Sequence, residues 1–381
     1  MIRRKKLMKK TFSFLFYLFL LFLVSDCSDK KKIISDFDRR VSEISKQYIA
    51  DKSLSVFSPS LKNIDNKWFI EGATTNAIVF TKLMEMSDSL FRSKKFTNNF
   101  MMLPDPALDN NNYAIVNVSV TPLREKPSHS SQMVDQTTMG NIIRLLRYKT
   151  GWYLSQTHYN YVGWINETGL FICDSVLKNN WVKNANYTIN TLQTTIFSLP
   201  NNTSQPITDA VLNNILIGNI KNKDWVSILL PDGRSGYVTK NILKPIISRS
   251  EKLAVPDSIL RDAYRMTGVP YLWGGNSSKG NDCSGFTQIV FKSNGIQLPR
   301  DARQQALEGI DITPDKNWEN IRPGDLLFFG ENNRVTHVGI STGGKEFIHQ
   351  GGMVKENSLD KNLVNFAPKR LETFLFVKRI I

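Results

Sequence analysis

Two pairs of aromatic residues constrain this chain most tightly, because the pattern around them occurs twice. Gly151-Trp152-Tyr153-Leu154 is followed by Tyr161-Val162-Gly163-Trp164-Ile165, and Asp224-Trp225-Val226-Ser227 by Ser235-Gly236-Tyr237-Val238. Trp152 to Trp164 and Trp225 to Tyr237 have the same spacing, and each copy closes on glycine followed by an aromatic. Self-similarity at a fixed spacing marks a repeated folding unit. Short alternating runs separated by turn residues predict strands, and hence two small β-barrels over residues 113–172 and 185–247. Trp152 and Trp225 read as core filling. Tyr161 differs, because it falls on the turn side of its strand.

The 381 residues leave room for further domains, and 41% hydrophobic with 22% charged residues is ordinary globular composition. The net charge of +15 would suit a nucleic acid, a membrane surface or an acidic polymer. The basic residues are spread out after the first dozen, and no nucleic-acid motif is present, so a generally basic surface is expected and no nucleic-acid partner.

Residues 1–27 read as an export signal: a basic stretch, MIRRKKLMKK, then a short apolar run from Phe12 to Val24. With Ser25-Asp26-Cys27 it resembles a bacterial lipoprotein signal, which implies lipidation of Cys27 and a membrane anchor. Val24 and Asp26 depart from the usual residues of that pattern. Export makes the remaining cysteines, Cys173 and Cys283, candidates for a disulfide; the reading of Cys283 below argues against it.

Residues 33–110 read as mostly helical, from the amphipathic spacing of Asp36 to Ile44 and of Ile78, Val79, Leu83, Met84 and Leu90. From about residue 253 the pattern changes. Pro256-Asp257-Ser258 starts a helix, with Asp257 or Ser258 as cap, and Gly268 ends it. A second helix is expected over Ser284 to Asn294. Strands follow at Asp325 to Phe329, Val335 to Ser341, Glu346 to His349 and Phe374 to Val377. This order is α+β.

Cys283 lies where a glycine-rich loop meets the second helix, in Asp282-Cys283-Ser284-Gly285. A helix N-terminus favours a thiolate, with Asp282 as a possible cap, and its free N–H groups can hold an oxyanion. A nucleophilic thiol wants a base, and the base an orienter. The chain has four histidines. His129 and His158 fall in the first barrel. His337 and His349 fall on adjacent strands joined by Thr342-Gly343-Gly344, so His337 can serve as base and His349 can hold its other nitrogen.

Tyr271-Leu272-Trp273-Gly274-Gly275, Asp282-Cys283-Ser284-Gly285-Phe286, Leu298-Pro299-Arg300-Asp301, Arg322-Pro323-Gly324-Asp325-Leu326 and Thr336-His337-Val338-Gly339-Ile340 occur in an order that resembles the NlpC/P60 family of bacterial cell-wall cysteine peptidases. The resemblance covers about residues 253–381. It implies a papain-like catalytic domain with the set Cys283, His337 and His349, and no metal or cofactor. The repeated units resemble bacterial SH3 domains, including Asn117-Val118-Ser119-Val120, Lys126-Pro127-Ser128 and Met139-Gly140 in the first copy. The combination resembles the γ-D-glutamyl-L-diamino-acid endopeptidases, which release L-Ala-D-Glu from peptidoglycan-derived peptides with a free N-terminus.

That likeness implies that Tyr161 closes one end of the cleft, that Asp282 and Asp301 bind the free amine, and that Ser284 contacts substrate. Ala302 stands where relatives carry serine, and Gln132 near a glutamate of theirs; both bear on how strictly a free amine is required. Three other readings stay open: an amidase such as an N-acetylmuramoyl-L-alanine amidase, a non-catalytic wall-binding lipoprotein, and a surface binder driven by charge. Lysine and meso-diaminopimelate at the third position are not distinguished, and no oligomeric state follows.

Overall fold

The computed structural model describes residues 30–91, 95–246 and 255–381; Cys27 and the signal expected around it lie outside them. No helix among the described residues is long and apolar enough to cross a membrane. The chain divides into two compact units, Met1–Pro106 and Ala107–Ile381.

The first unit corrects the expectation of a mostly helical segment. Helix α1 (30–48) and helix α2 (Ala77–Leu90) are present, but strands β1 (Ser60–Ile64), β2 (Lys67–Thr74) and β3 (Phe96–Met102) form a sheet in the order β1-β2-β3. Asp65 and Asn66, at φ 49° and 61°, make the two-residue turn between β1 and β2. Both lie in the left-handed region that asparagine and aspartate tolerate, and this twist suits a tight hairpin. β2 and β3 are parallel, so α2 is their crossover. Asn76 caps α2 by accepting from the Val79 N–H at 3.1 Å. Phe37, Trp68, Ile70, Leu83, Phe91 and Phe100 form the core of the unit.

The second unit opens with two seven-stranded sheets. Strands β4 to β10 are Tyr113–Val116, Val120–Arg124, Met133–Thr138, Ile142–Lys149, Trp152–Gln156, Val162–Asn166 and Leu170–Cys173. After helix α3 (Ser175–Asn184), strands β11 to β17 are Tyr187–Ile189, Gln193–Phe197, Pro206–Val211, Ile215–Ile220, Trp225–Leu229, Ser235–Thr239 and Leu243–Pro245. The first sheet runs β10-β4-β7-β8-β9-β5-β6; the second, read from its β17 edge, runs β17-β11-β14-β15-β16-β12-β13. The two orders are the same, strand for strand. Trp152 and Trp225 each open the fifth strand of their copy, and Trp164 and Tyr237 are each the third residue of the sixth. The sheets also join. Met139 packs into the core of the second, and Asn214 Nδ2 donates to the Ser119 carbonyl at 3.0 Å.

The C-terminal part carries helices α4 (Pro256–Arg265), α5 (Cys283–Ser293), α6 (Ala302–Gln305) and α7 (Pro368–Glu372). A short ribbon, β18 (Asn276–Ser277) and β19 (Gly280–Asn281), precedes α5. Strands β20 (Ile310–Ile312), β21 (Leu326–Glu331), β22 (Arg334–Gly343), β23 (Glu346–Gln350), β24 (Val354–Ser358) and β25 (Phe374–Arg379) make a six-stranded sheet, ordered β20-β25-β21-β22-β23-β24. One cap differs from expectation. Val255 precedes α4, Pro256 occupies its first turn, and no side chain caps it; proline needs no N–H partner there. Helix α5 is buried along nearly its whole length, and Phe286, Val290 and Phe291 pack with Leu326, Phe328, Val338 and Ile340 of the sheet.

Candidate active site

Asp282 stops the loop and starts α5. Its Oδ1 accepts from the Gly285 N–H at 2.8 Å, so the residue is the helix cap. Gly285 is required by close approach: a Cβ there would lie 2.1 Å from the Gly275 carbonyl oxygen. Cys283 is the first residue of the helix and is 9% exposed.

The two histidines meet as the strand pairing predicts. β22 and β23 are antiparallel neighbours, and His337 Nε2 lies 2.7 Å from His349 Nδ1. A Cβ on Gly339 would stand 3.0 Å from both His349 Cβ and the Phe347 ring. The bare backbone there makes room for the second imidazole. His349 Nε2 lies 2.9 Å from Asn357 Oδ1, and Asn357 Nδ2 donates to the Asn365 carbonyl at 2.8 Å.

That last bond fixes the protons. Since the Asn357 amide nitrogen donates to Asn365, its oxygen faces His349 and accepts. His349 therefore carries its proton on Nε2 and offers Nδ1 as acceptor. His337 must then donate from Nε2, which leaves its Nδ1 lone pair free to take a proton.

Electrostatics favour neutral groups at rest. Burial pushes the Cys283 thiol up to about 11, and the Asp282 carboxylate adds to this. The Val338 and Ser284 backbone N–H groups and Arg300 oppose the rise without cancelling it. The lowering expected at a helix N-terminus is thus outweighed by desolvation and by the cap's own charge. Burial, Arg370 and His349 hold His337 well below its usual value. Burial takes His349 down to about 4, against the pull of its bond to Asn357. The arrangement suits a thiol that gives up its proton as it attacks, with no ion pair formed beforehand.

The residues expected to bind substrate divide into two pairs. Asp282 and Ser284 are occupied. Arg300, 2% exposed, donates from Nη1 to Asp282 Oδ1 at 3.0 Å and to Ser284 Oγ at 3.0 Å, and from Nη2 to Asp282 Oδ2 at 2.7 Å. Asp282 also accepts from the Gly274 N–H at 3.1 Å and from Ser284 Oγ at 3.2 Å. With five donors on its two oxygens, Asp282 is both helix cap and arginine partner. Tyr161, in the turn between β8 and β9, and Asp301, at the start of α6, come together by contrast. The Tyr161 hydroxyl donates to Asp301 Oδ1 at 3.2 Å, and Asp301 Oδ2 is bound by Arg303 Nη2 at 2.8 Å.

Several residues of the site were not singled out from the sequence. Arg300 stood inside a recognised motif without a role. Asp135, on β6 of the first sheet, accepts from Arg300 Nε at 2.5 Å and from the Tyr159 hydroxyl at 2.5 Å. Burial opposes the Arg300 charge, but Asp282 and Asp135 together hold its guanidinium protonated. A buried charge ladder thus runs from the first sheet to the nucleophile's helix cap. The one legible signal was a lone acid in an alternating strand, Met133-Val134-Asp135-Gln136. Asn357 and Arg370 gave none, since an asparagine in a strand and an arginine in a short helix are ordinary surface residues.

Comparison with known proteins agrees with this geometry. The NlpC/P60 family matches residues 268–367, the segment that holds Cys283, His337 and His349. Dipeptidyl-peptidase 6 of Lysinibacillus sphaericus is 28% identical over 258 residues, covering 65% of this chain and 92% of that protein. Gamma-D-glutamyl-L-lysine dipeptidyl-peptidase of Bacillus cereus is 35% identical over 126 residues, which is 32% of this chain and 37% of that protein. Among solved structures, an NlpC/P60 family protein from Bacillus cereus superposes with a TM-score of 0.61 at 22% identity, over 70% of this chain and 99% of that one, a likeness of fold. A buried thiol at a helix start, a two-histidine relay on the facing sheet and a matching domain lead to one conclusion: the chain carries an NlpC/P60 domain and is a cysteine peptidase.

Proposed function

We propose that the chain cuts the γ-D-Glu–L-diamino-acid bond of peptidoglycan-derived peptides and releases L-Ala-D-Glu. The observation that carries this reading is the Tyr161–Asp301 contact. Read as one end of the cleft, it sets a residue from the turn between β8 and β9 against a carboxylate. A free ammonium brought out of water needs such a carboxylate, and a longer peptide would meet the wall. The relative named dipeptidyl-peptidase 6 supports the reading, because its likeness spans 258 residues and so reaches beyond the 268–367 segment. The two matched sheets are read as SH3-like barrels, and residues 1–27 as a signal that takes the enzyme to the cell envelope with Cys27 as a lipid anchor.

His337 takes the Cys283 proton on Nδ1 as the sulfur attacks the γ-carbonyl of D-Glu. Backbone N–H groups at the start of α5 hold the oxyanion. The His337 imidazolium stays oriented by His349 and Asn357 and passes its proton to the departing amine. Water, activated by the same ring, then opens the thioester. Asp301 and Tyr161 set the amine end, while Asp282 and Ser284 act through Arg300 to hold the helix start.

Mass spectrometry of L-Ala-γ-D-Glu-L-Lys and its N-acetylated twin, each incubated with the enzyme and with Cys283→Ala, tests the proposal. Release of L-Ala-D-Glu from the free-amine peptide alone is expected. Cleavage of both peptides would retire the amine gate. Cleavage of neither would move the weight to an amidase or a wall-binding protein.

A further inference from the structure

Arg370 is a cation with no acidic partner among the described residues. It lies on α7, half-buried, with its guanidinium carbon 5.7 Å from the centre of the Phe329 ring. The same ring also neighbours His337, with centroids 5.7 Å apart. The Arg370 charge is felt at Cys283, Tyr271, His337 and His349. Among the described residues its guanidinium forms no ion pair and no hydrogen bond. Glu331, an acid that meets α7, is taken by Lys369 at 3.0 Å. An arginine taken half out of water ordinarily answers to a carboxylate, which its planar fork grips with two N–H groups. Stacking on Phe329 holds the fork in place while the five donors stay unspent.

We propose that Arg370 is the receptor for the α-carboxylate of the departing diamino acid. This rests on the reading of the site as a γ-D-glutamyl peptidase. The amine that leaves takes its proton from His337, so whatever is bonded to that nitrogen lies on the His337 side of the cleft. The diamino acid's α-carbon is bonded to it directly and carries the carboxylate. The acyl half runs the other way, toward Asp301 and Tyr161. The two ends of the substrate thus meet opposite charges: a carboxylate for the ammonium, a guanidinium for the carboxylate. The enzyme therefore prefers peptides that end at the third residue over those that continue beyond it as an amide.

Two measurements on the full-length chain test this. The first compares kcat/KM for L-Ala-γ-D-Glu-L-Lys and for its C-terminal amide. Wild type should favour the acid by about tenfold or more, the usual worth of a charge-assisted pair. Arg370→Gln should remove that preference, and Arg370→Lys should keep part of it. The second needs no peptide. Cys283 is alkylated with iodoacetate and with iodoacetamide at one pH, and the ratio of rates is taken, so that a change in thiol acidity cancels. The ratio should fall several-fold in Arg370→Gln as the anion loses its site. An acid preference that survives in Arg370→Gln, or an unchanged alkylation ratio, overturns the proposal. So does a preference that moves to the D-Glu carboxylate, read with D-isoglutamine in second place. If wild type cuts neither peptide and the ratio still falls, the carboxylate site stands and the peptidase specificity fails.

Discussion

The two seven-stranded sheets share one topology and do different work. The first reaches the N-terminal end of α5, where Cys283 sits: Asp135 holds Arg300, Arg300 braces Asp282, and Tyr161 closes on Asp301. The second reaches the other end. Asn213 donates to the Ile289 carbonyl at 3.1 Å and accepts from Ser293 Oγ at 3.0 Å, and Lys244 donates to the Ser293 carbonyl. One copy is tied to the nucleophile's helix cap by a buried ion-pair ladder, the other to the far end of that helix by hydrogen bonds and to Lys279 by the half-exposed Asp209 ion pair at 2.6 Å. A duplicated fold therefore says little about what each copy does; the few side chains on its contact face decide.

The largest test of that contrast is Asp135→Ala. It leaves Arg300 short of a buried counter-charge and Tyr159 without an acceptor. A loss of about 3–5 kcal/mol in unfolding free energy is expected, with activity falling alongside. Denaturant unfolding of the purified chain measures it. A change below about 1 kcal/mol would mean that the ladder is not the lock between the first sheet and the catalytic domain.

Acid should loosen the catalytic end next. His349 binds its proton in the unfolded chain near 6.5 and in the folded chain only at about 4. Between these values the unfolded state holds more protons, so stability is full above pH 6.5 and drains as pH falls toward 4. The loss from His349 alone is about 3 kcal/mol, at 1.36 kcal/mol per pH unit. His349→Gln, scanned from pH 7 to 4, should flatten that part of the curve.

At the scaffold end, Asn213→Gly keeps the left-handed backbone that Asn213 adopts at φ 68° and removes two side-chain bonds. A cost of about 1–3 kcal/mol is expected, with kcat/KM unchanged. A fall in kcat/KM as large as that of Asp135→Ala would erase the distinction between the sheets.

Tyr161→Phe gives the smallest stability effect, within about 1 kcal/mol for one hydrogen bond lost. Its effect is on selectivity. The free-amine peptide should lose about tenfold in kcat/KM, since 1.4 kcal/mol is a factor of ten, while the acetylated twin stays uncut. An unchanged kcat/KM would make Tyr161 a packing residue.

Much of the fold was legible in the sequence because it rests on local patterns. The spacing of Trp152 to Trp164 and of Trp225 to Tyr237 marked matching strands, and the alternation of Val335 to Ser341 against Glu346 to His349 brought the two histidines together. The hairpin at Asp65-Asn66 was missed because α1 and α2, on either side, carry the stronger periodicity. Within the site, the thiol and both imidazoles were found by residue type. Asp135 and Arg370 were not, because each matters only through a partner far away in sequence: Arg300 lies 165 residues from Asp135, and Phe329 meets Arg370 only when α7 folds back onto the sheet. Asp282 was legible as a cap, but its arginine partner was not, for the same reason.

The weakened acidity of the Cys283 thiol has a consequence for its survival. Peroxide and disulfides attack thiolates, and thiols only poorly. A sulfur that is 9% exposed and holds its proton up to about 11 offers oxidants little to react with at neutral pH. In the mechanism proposed above, the proton leaves only when the carbonyl under attack arrives beside His337, so the reactive form exists only together with its target. A cysteine enzyme built this way can idle in an oxidising medium without a reductant to restore it, and it gives up some nucleophilic readiness in exchange for durability.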